Sequence, residues 1–301
     1  MKKPDDLPGE KKQAEVLLKA ENLYAGYSGR RHRKGKDSRE NSFLKNITFS
    51  LHKGERLCII GPNGSGKTTL LRVLAGILPY SGSCELAITD PFSPDCGRAL
   101  ERAALPPDMA ARETAFLQQL SFPEFSYTVG ETVWMGLYAG LKQQRKIKSG
   151  NRSEYFSRTV ADALKLCGIE QIYDKTLDSL SGGQLQRVFF ARTLVQEPAV
   201  LLMDEPANHL DLFYQIELLN HINTWVRGGN ECGTPSGRPR AAIGVFHDLS
   251  LALYFADTLI LMNEGCIADY GPPRAVIHGN TIRTVYNMDI PDIMRKILQK
   301  W

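Results

Sequence analysis

Residues 56–75 read RLCIIGPNGSGKTTLLRVLA. The run from Arg56 to Ile60 has the length and apolar character of a strand, and the residues from Lys67 onward have a helical pattern that Gly76 can end. Between them, Gly61 to Thr68 matches G-x-x-x-x-G-K-[ST] at every required position. Glycines in such a turn let consecutive backbone N–H groups point at a polyphosphate, and the following helix directs its positive end at the same anion. The stretch therefore predicts a triphosphate-binding loop.

The two residues that close this loop have side chains suited to a nucleotide and its metal. Lys67 is long enough to reach the β- and γ-phosphates, and the hydroxyl of Thr68 is a suitable ligand for Mg²⁺. By itself the motif indicates a nucleoside triphosphatase or a kinase, with ATP or a related nucleotide as ligand.

Apolar runs elsewhere in the chain predict the rest of the sheet. They alternate with helical stretches, which favours a mostly parallel sheet covered on both faces. From about Thr128 to Leu177 the periodicity is helical, which predicts a separate, inserted α-helical unit. Three polar or proline-containing segments, at 28–42, 91–112 and 228–240, are predicted to be irregular insertions, the first of them basic. The predicted strands are Val16–Leu23, Ile47–Leu51, Arg56–Ile60, Thr114–Leu117, Val200–Met203, Ala242–Phe246 and Thr258–Met262.

Composition narrows the class of protein. The chain has 301 residues, a net charge of +4 and 43% hydrophobic residues, values that give no indication of a nucleic-acid partner. No apolar run reaches the ~20 residues that span a bilayer, and no apolar segment follows the lysines at the N-terminus, so we expect a cytoplasmic chain that does not cross a membrane by itself. The six cysteines are scattered without metal-ligand spacing and are predicted to be reduced thiols.

Two strands are predicted to end in side chains that suit hydrolysis. VLLMDE at 200–205 ends in Asp204 and Glu205, and the strand before His247 ends at the same edge of a parallel sheet, where ligands bind. Asp204 can hold Mg²⁺ through its water shell, and Glu205 can act as general base on an attacking water. His247 can sense the γ-phosphate, although a lone histidine is more often structural.

A second anion site is predicted at Leu180-Ser-Gly-Gly-Gln184. Ser181 is a natural helix N-cap, and two glycines after it leave backbone N–H groups bare. The helix they open should bury Leu185, Val188, Phe189 and Val195 on one face. One chain has no use for two γ-phosphate sites, whereas two chains packed head-to-tail do, because the second site of each closes over the loop of the other.

With GPNGSGKT at 61–68, LSGGQ at 180–184 and LLMDEP at 201–206, nearly the whole chain resembles the ATP-binding cassette (ABC) family. The resemblance implies an ATP hydrolase with a RecA-like P-loop core, an antiparallel β part near the N-terminus and a helical subdomain at about 121–180, within a domain spanning 15–301 after a tail at 1–14. It implies that Tyr27 stacks on adenine, that Gln119 joins Thr68 and Asp204 at the metal, and that Asp211 couples two active sites. The implied catalytic residues are Lys67, Glu205 and His247. The implied nucleotide contacts are Tyr27, Gly61, Pro62, Asn63, Gly64, Ser65, Gly66, Lys67, Thr68, Thr69, Gln119, Ser181, Gly182, Gly183, Gln184 and Asp211.

Within the family, YTVGETVWMG at 127–136, EPANHLDL at 205–212, QIELL at 215–219 and GPPRAV at 271–276 are similar to importer subunits for iron–siderophore, haem or cobalamin. This implies a second ATPase subunit, a membrane permease, an external binding protein acting indirectly, and a place at the cytoplasmic face of the membrane. An ABC ATPase for another cargo and a non-transport ABC protein stay open. A P-loop kinase or GTPase is disfavoured, because such enzymes have no segment like Ser181–Gln184.

Overall fold

The computed structural model describes residues 15–26, 42–91, 93–118, 126–140, 152–208, 210–228 and 238–299. The strands in this part of the chain are β1 (Val16–Ala25), β2 (Leu44–His52), β3 (Arg56–Ile60), β4 (Ser81–Ala87), β5 (Ala99–Glu101), β6 (Thr114–Leu117), β7 (Val200–Asp204), β8 (Ala241–Val245), β9 (Thr258–Asn263) and β10 (Cys266–Gly271). The helices are α1 (Lys67–Leu74), α2 (Pro107–Glu113), α3 (Val129–Met135), α4 (Arg152–Leu166), α5 (Gly182–Leu194), α6 (Leu212–Arg227), α7 (Leu249–Phe255), α8 (Pro273–His278), α9 (Asn280–Tyr286) and α10 (Ile290–Leu298).

Two sheets form the frame. The larger has the order β10-β9-β3-β8-β7-β6 and is parallel except for β10, which pairs antiparallel with β9. The smaller is antiparallel, in the order β2-β1-β4-β5. The predicted mostly parallel sheet and the predicted antiparallel part near the N-terminus are both confirmed. Among the described residues, no helix is long and apolar enough to cross a bilayer.

Side chains of the central strand β3 point alternately to the two faces of the sheet, and each face has its own apolar core. Leu57 and Ile59 pack with α1 and the smaller sheet. Cys58 and Ile60 point to the other face and pack with the helical side of the molecule. All four side chains are buried, which explains why a strand covered on both faces is apolar at successive positions.

The helical unit begins with a capping box. The hydroxyl of Thr128 accepts a hydrogen bond from the N–H of Glu131 at 3.2 Å, and the Glu131 carboxylate accepts one from the N–H of Thr128 at 2.8 Å. The apolar residues that predicted this unit are buried: Val129, Val133, Leu137, Val160, Leu164 and Cys167. The unit packs on α5 through Gly136, where a Cβ atom would lie 2.1 Å from the carbonyl oxygen of Arg192. Its exact bounds, 121–180, and the division into 1–14 and 15–301 stay predictions.

The second predicted insertion is not irregular, and that expectation was wrong. Its residues 99–101 form β5, which extends the smaller sheet by pairing with β4, and its end forms α2. Glu101 fixes the new edge, since its carboxylate accepts hydrogen bonds from the hydroxyl of Tyr80 at 2.5 Å and of Ser83 at 2.8 Å. Pro107 occupies the first turn of α2, where a proline has no N–H to lose. Of the other two predicted insertions, at 28–42 and 228–240, residues 28–41 and 229–237 lie outside the described residues.

A buried ionic cluster ties this second insertion to the rest of the fold. The guanidinium of Arg238 lies 2.6 Å from the carboxylate of Glu113, and the two side chains are 2% and 0% exposed. The same guanidinium donates to the hydroxyl of Thr89 at 2.7 Å and to the carbonyl of Glu197 at 2.7 Å. The hydroxyl of Tyr155, on α4, donates to the carboxylate of Glu197. The cluster therefore joins the insertion, the approach to β7 and the helical unit.

The burial of this pair makes it sensitive to the loss of one partner. We expect Arg238→Met to lower the free energy of unfolding by about 3 kcal/mol, because the Glu113 carboxylate would remain buried without its cation. Urea unfolding followed by circular dichroism measures this. Arg98→Met is the matched control, because its pair with Asp95 lies at the surface, with side chains 71% and 30% exposed, and should leave stability unchanged. Equal losses of stability in the two variants would contradict the conclusion that the Arg238–Glu113 pair stabilises the fold.

Candidate functional site

The phosphate loop lies between β3 and α1, at the carboxyl edge of the larger sheet. Gly64 and Gly66 have φ angles of 77° and 106°, values that favour glycine, and Gly66 caps the N-terminus of α1. A Cβ atom at Gly61 would lie 2.3 Å from the carbonyl oxygen of Met262 on β9. Glycine at these positions is therefore required by the path of the loop and by its contact with a neighbouring strand.

Lys67 fills the centre of the loop. Its side chain donates to the carbonyls of Gly61 at 2.8 Å and Pro62 at 2.9 Å, and the residue is only 6% exposed. Burial lowers the pKa of Lys67, and the carboxylates of Glu205 and Asp204 oppose that shift. The ammonium is thus a buried cation whose partners are neutral carbonyls, an arrangement that favours an anionic ligand.

The predicted metal ligands Thr68 and Asp204 meet. The Thr68 hydroxyl donates to the Asp204 carboxylate at 3.1 Å, and Asp204 is 8% exposed at the end of β7. Burial raises the pKa of Asp204, and the hydrogen bond from Thr68 lowers it. A hydroxyl and a buried carboxylate side by side are hard oxygen donors, so the pair fits Mg²⁺.

Glu205 lines the same cleft as the phosphate loop and has an unusual backbone conformation. Its φ angle is 52°, and its N–H donates to the carbonyl of Val245 on β8 at 3.1 Å. One carboxylate oxygen accepts a hydrogen bond from the amide of Asn208, and the other is paired with Nε2 of His247. The predicted base and the predicted γ-phosphate sensor are therefore neighbours, and Asn208 is a partner that no sequence motif indicated.

The residues around the loop enclose a cleft of about 440 Å³. It combines backbone N–H groups, one cation and two titratable groups, Glu205 and His247, which is the set that hydrolysis of a phosphoanhydride requires. Its lining residues are Phe43, Asn63, Gly64, Gly66, Lys67, Thr68, Thr69, Glu205 and His247.

Phe43 is a cleft residue that the sequence did not reveal. Its side chain is 41% exposed, and it is held by the turn between β9 and β10. At Gly265, with φ 79°, a Cβ atom would lie 1.7 Å from the Phe43 carbonyl oxygen. Gly265 also accepts from the N–H of Lys45 at 2.8 Å and donates to the carbonyl of Ser65 at 3.0 Å. The missed signal is the short Asn-Glu-Gly turn after β9, which predicts a hairpin.

The segment Ser181–Gln184 has the predicted cap. The Ser181 hydroxyl accepts from the N–H of Gln184 at 3.3 Å, and the Gln184 side chain accepts from the N–H of Ser181 at 3.1 Å. Ser181 and Gly182 are exposed, and none of the four residues lines the cleft of the same chain. The predicted apolar face of α5 needs one correction: Phe189 is only half-buried, and Phe190 is the fully buried phenylalanine, because this helix is covered on most of its circumference.

Of the remaining predicted site residues, the structure describes Asp211 but not Tyr27 or Gln119. Asp211 caps α6, and its carboxylate accepts from the N–H of Tyr214 at 3.1 Å. Tyr27 and Gln119 lie outside the described residues, so their roles stay predictions. Asp211 is thus positioned at the start of a helix and beyond the residues that line the cleft.

The comparisons with known proteins decide the family. A family model described as ABC transporter matches residues 44–208, more than half of the chain. The chain belongs to the ABC transporter family. This ABC protein is accordingly an ATP-binding and ATP-hydrolysing subunit, and the family expected from its motifs is confirmed.

Its relatives include proteins of several bacteria. The uncharacterized ABC transporter ATP-binding protein YvrA of Bacillus subtilis (strain 168) is 36% identical over 283 residues, which cover 93% of this chain and only 55% of that protein. The hemin import ATP-binding protein HmuV of Rhodopseudomonas palustris (strain BisB18) is 34% identical over 82% of this chain and 83% of that protein. HmuV of Enterobacter cloacae is 32% identical over 90% of both chains.

Solved structures agree with the fold. The structure of cbiO1 from Clostridium perfringens, part of the ABC transporter complex cbiONQ, superposes with a TM-score of 0.66 and 26% identity over 94% of this chain and 99% of that one. The ADP conformation of the ABC subunit MJ1267 gives a TM-score of 0.68 at 23% identity over 90% of this chain and 98% of that one. The P-loop core with a mostly parallel sheet is thereby confirmed.

The turn at Gly265 can be tested against a second glycine of nearly the same conformation. We expect Gly265→Ala to weaken binding of a fluorescent ATP analogue by about tenfold, because the added methyl group must push Phe43 and the phosphate loop apart. Gly54→Ala is the control: its φ angle is 77°, but a Cβ atom there meets nothing within 4 Å. Both variants should lose about 1 kcal/mol of stability to backbone strain, and only Gly265→Ala should lose more stability through its clash with Phe43 and also lose affinity. Equal affinities would contradict the role of this turn.

Proposed function

We propose that this ABC protein powers the import of a metal chelate, haem in the first instance, through a separate membrane permease. The observation that carries the proposal is its similarity to hemin import ATP-binding proteins over more than four fifths of both chains. Iron–siderophore and cobalamin complexes are the related cargoes, in line with the similar segments at 127–136 and 215–219. An external binding protein would deliver the cargo, and the subunit would work at the cytoplasmic face of the membrane.

We propose a division of labour for the residues of the cleft. The backbone of Gly61–Thr69 and the ammonium of Lys67 bind the phosphates of ATP. Thr68 and Asp204, joined by Gln119, would hold Mg²⁺, and the ion would supply positive charge to stabilise the phosphates. Burial of Lys67 and Asp204 supports this assignment, because within the described part of the chain their hydrogen bonds are with neutral groups, the Gly61 and Pro62 carbonyls and the Thr68 hydroxyl.

Two further roles are assigned for hydrolysis: a general base, and a residue that contacts the γ-phosphate and so responds to its presence. Glu205 orients the attacking water and accepts its proton, and His247 exchanges its bond with Glu205 for one with the γ-phosphate oxygen. Their direct contact supports this pairing, since movement of one toward the nucleotide frees the other. Exposed Phe43, which also lines the cleft, is proposed to join Tyr27 as an aromatic contact for the nucleoside.

The second anion site is proposed to act between chains. Ser181, Gly182, Gly183 and Gln184 of one chain cover the γ-phosphate bound by its partner, and Asp211 couples the two sites. Their position outside the cleft of their own chain supports this arrangement. The helical unit, which packs on α5 through Gly136, is the surface proposed for the permease, with Tyr127 and Tyr138 exposed on it at 40% and 74%.

The motor function is tested by Glu205→Gln. The amide keeps the shape of the side chain but is a poor base, so we expect ATP turnover to fall by at least about a hundredfold while ATP still binds. Trapped ATP should then hold two chains together, which size-exclusion chromatography with light scattering detects. Lys67→Ala is the control, because loss of the cation should abolish turnover without producing an ATP-dependent dimer. A variant that binds ATP and stays monomeric at high protein concentration would count against the head-to-tail dimer.

The cargo is tested in cells. We expect deletion of the gene to abolish growth on haem as sole iron source and uptake of labelled haem, because without ATP hydrolysis the permease cannot complete its cycle. Complementation with the unmodified gene should restore both, and complementation with Lys67→Ala should restore neither. Labelled siderophore and cobalamin are measured in parallel. Normal uptake of all three, with a defect for a sugar, a peptide or a free metal ion, would overturn the cargo and leave the motor intact.

A further inference from the structure

Two glutamine side chains hold the backbone that follows Glu205. Gln186, on α5, donates from Nε2 to the carbonyl of Pro206 at 2.8 Å. Gln215, on α6, donates from Nε2 to the next carbonyl along, that of Ala207, at 3.1 Å. Two consecutive carbonyl groups are therefore hydrogen-bonded to two different helices. The first of these helices, α5, is the one that begins at the segment Ser181–Gln184.

The bond from Gln186 is buried, unlike most contacts of a glutamine. The residue is 2% exposed, and its Oε1 atom has no hydrogen-bond partner among the described residues. Burying a primary amide with one oxygen unsatisfied is unfavourable, and an apolar residue of the same size would pack there without that cost. The bond to Pro206 is the interaction that a glutamine supplies at this position and a leucine or methionine does not.

A second set of contacts joins α5 to the start of α6. At Gly183 a Cβ atom would lie 3.4 Å from the ring of Tyr214, so the helix starts are in contact. The guanidinium of Arg187 lies 5.3 Å from the centre of the same ring and 3.6 Å from the carboxylate of Glu217. The first two turns of α5 are thus in contact both with the Pro206 peptide and with residues of α6, the helix that follows Asp211.

We propose that Gln186 is a positioning residue that connects the segment Ser181–Gln184 to Glu205 of the same chain. This inference rests on the proposed function, in which that segment closes over the ATP of the partner chain. Closure shifts the first turn of α5, Gln186 draws the Pro206 peptide with it, and Glu205 turns about its N–H bond to Val245, which stays fixed on β8. Occupancy of one ATP site thus places the base of the other through the side chain of Gln186.

The test separates the two chains of a dimer. Chains carrying Glu205→Gln and chains carrying an intact Glu205 bear different affinity tags and are purified as mixed dimers in ATP, so that hydrolysis occurs only on the intact chain. Gln186→Met is then placed either in the intact chain or in the Glu205→Gln chain. We expect turnover to fall about tenfold with unchanged KM in the first placement, because a buried hydrogen bond to the loop of the active base is lost. The second placement should leave turnover within about twofold.

The reverse result would overturn the proposal. If Gln186 only supported the segment that binds ATP, the second placement would lower turnover and the first would not; equal effects would also overturn the connection. Gln215→Met in the intact chain is the matched control, because it frees the neighbouring carbonyl from a helix that Ser181–Gln184 does not open. If Gln215→Met lowered turnover as much as Gln186→Met does, Gln186 would only support the loop and would not connect the two sites.

Folding is checked by a second measurement. Chains carrying both Glu205→Gln and Gln186→Met should still dimerise in ATP, and Gln186→Leu replaces the variant if they do not. A failure of Glu205→Gln alone to dimerise would overturn the proposed motor and this inference with it. A normal mixed dimer that is indifferent to the placement of the substitution would overturn the inference alone.

Discussion

The hydrogen bonds from the buried ammonium of Lys67 to the carbonyls of Gly61 and Pro62 fix the geometry on which the cleft depends. A cation in this position must be desolvated, and its partners are neutral, so the loop retains a strong preference for an anion. The glycines follow from that requirement. Gly61 lies too close to Met262 for a side chain, and Gly66 turns the chain so that α1 begins at the lysine itself.

Close contacts at glycine also bring distant parts of the chain together at the phosphate loop. Gly265 brings the end of β9 into contact with both Phe43 and Ser65, so that the two sheets meet at the cleft. On the far side, Arg238 and Glu113 join the insertion at 91–112 to the residues that precede β7. The strand that carries Asp204 and Glu205 is therefore supported at its start by a buried ion pair and at its end by the phosphate loop.

Sequence patterns predicted the parts of this structure whose causes are local. The central strands are apolar on both faces, and the loop, the Ser181 cap and the Asp204–Glu205 pair are contiguous motifs, so each could be located without the fold. The strands β4, β5 and β10 were missed because each mixes polar and apolar side chains, although the turn at Glu264 and Gly265 was an available signal for the hairpin of β9 and β10. Phe43, Asn208 and Gln186 act through contacts that only the folded chain creates, and no spacing in the sequence indicated them.

The bonds of Glu205 have a consequence for the water that it is proposed to activate. Each oxygen of this carboxylate already has one side-chain contact, Asn208 on one and His247 on the other, so a water molecule must share an oxygen with one of these side chains. The carboxylate is thereby held in one orientation by two side chains of its own chain, and its freedom to turn toward a nucleotide depends on both of them.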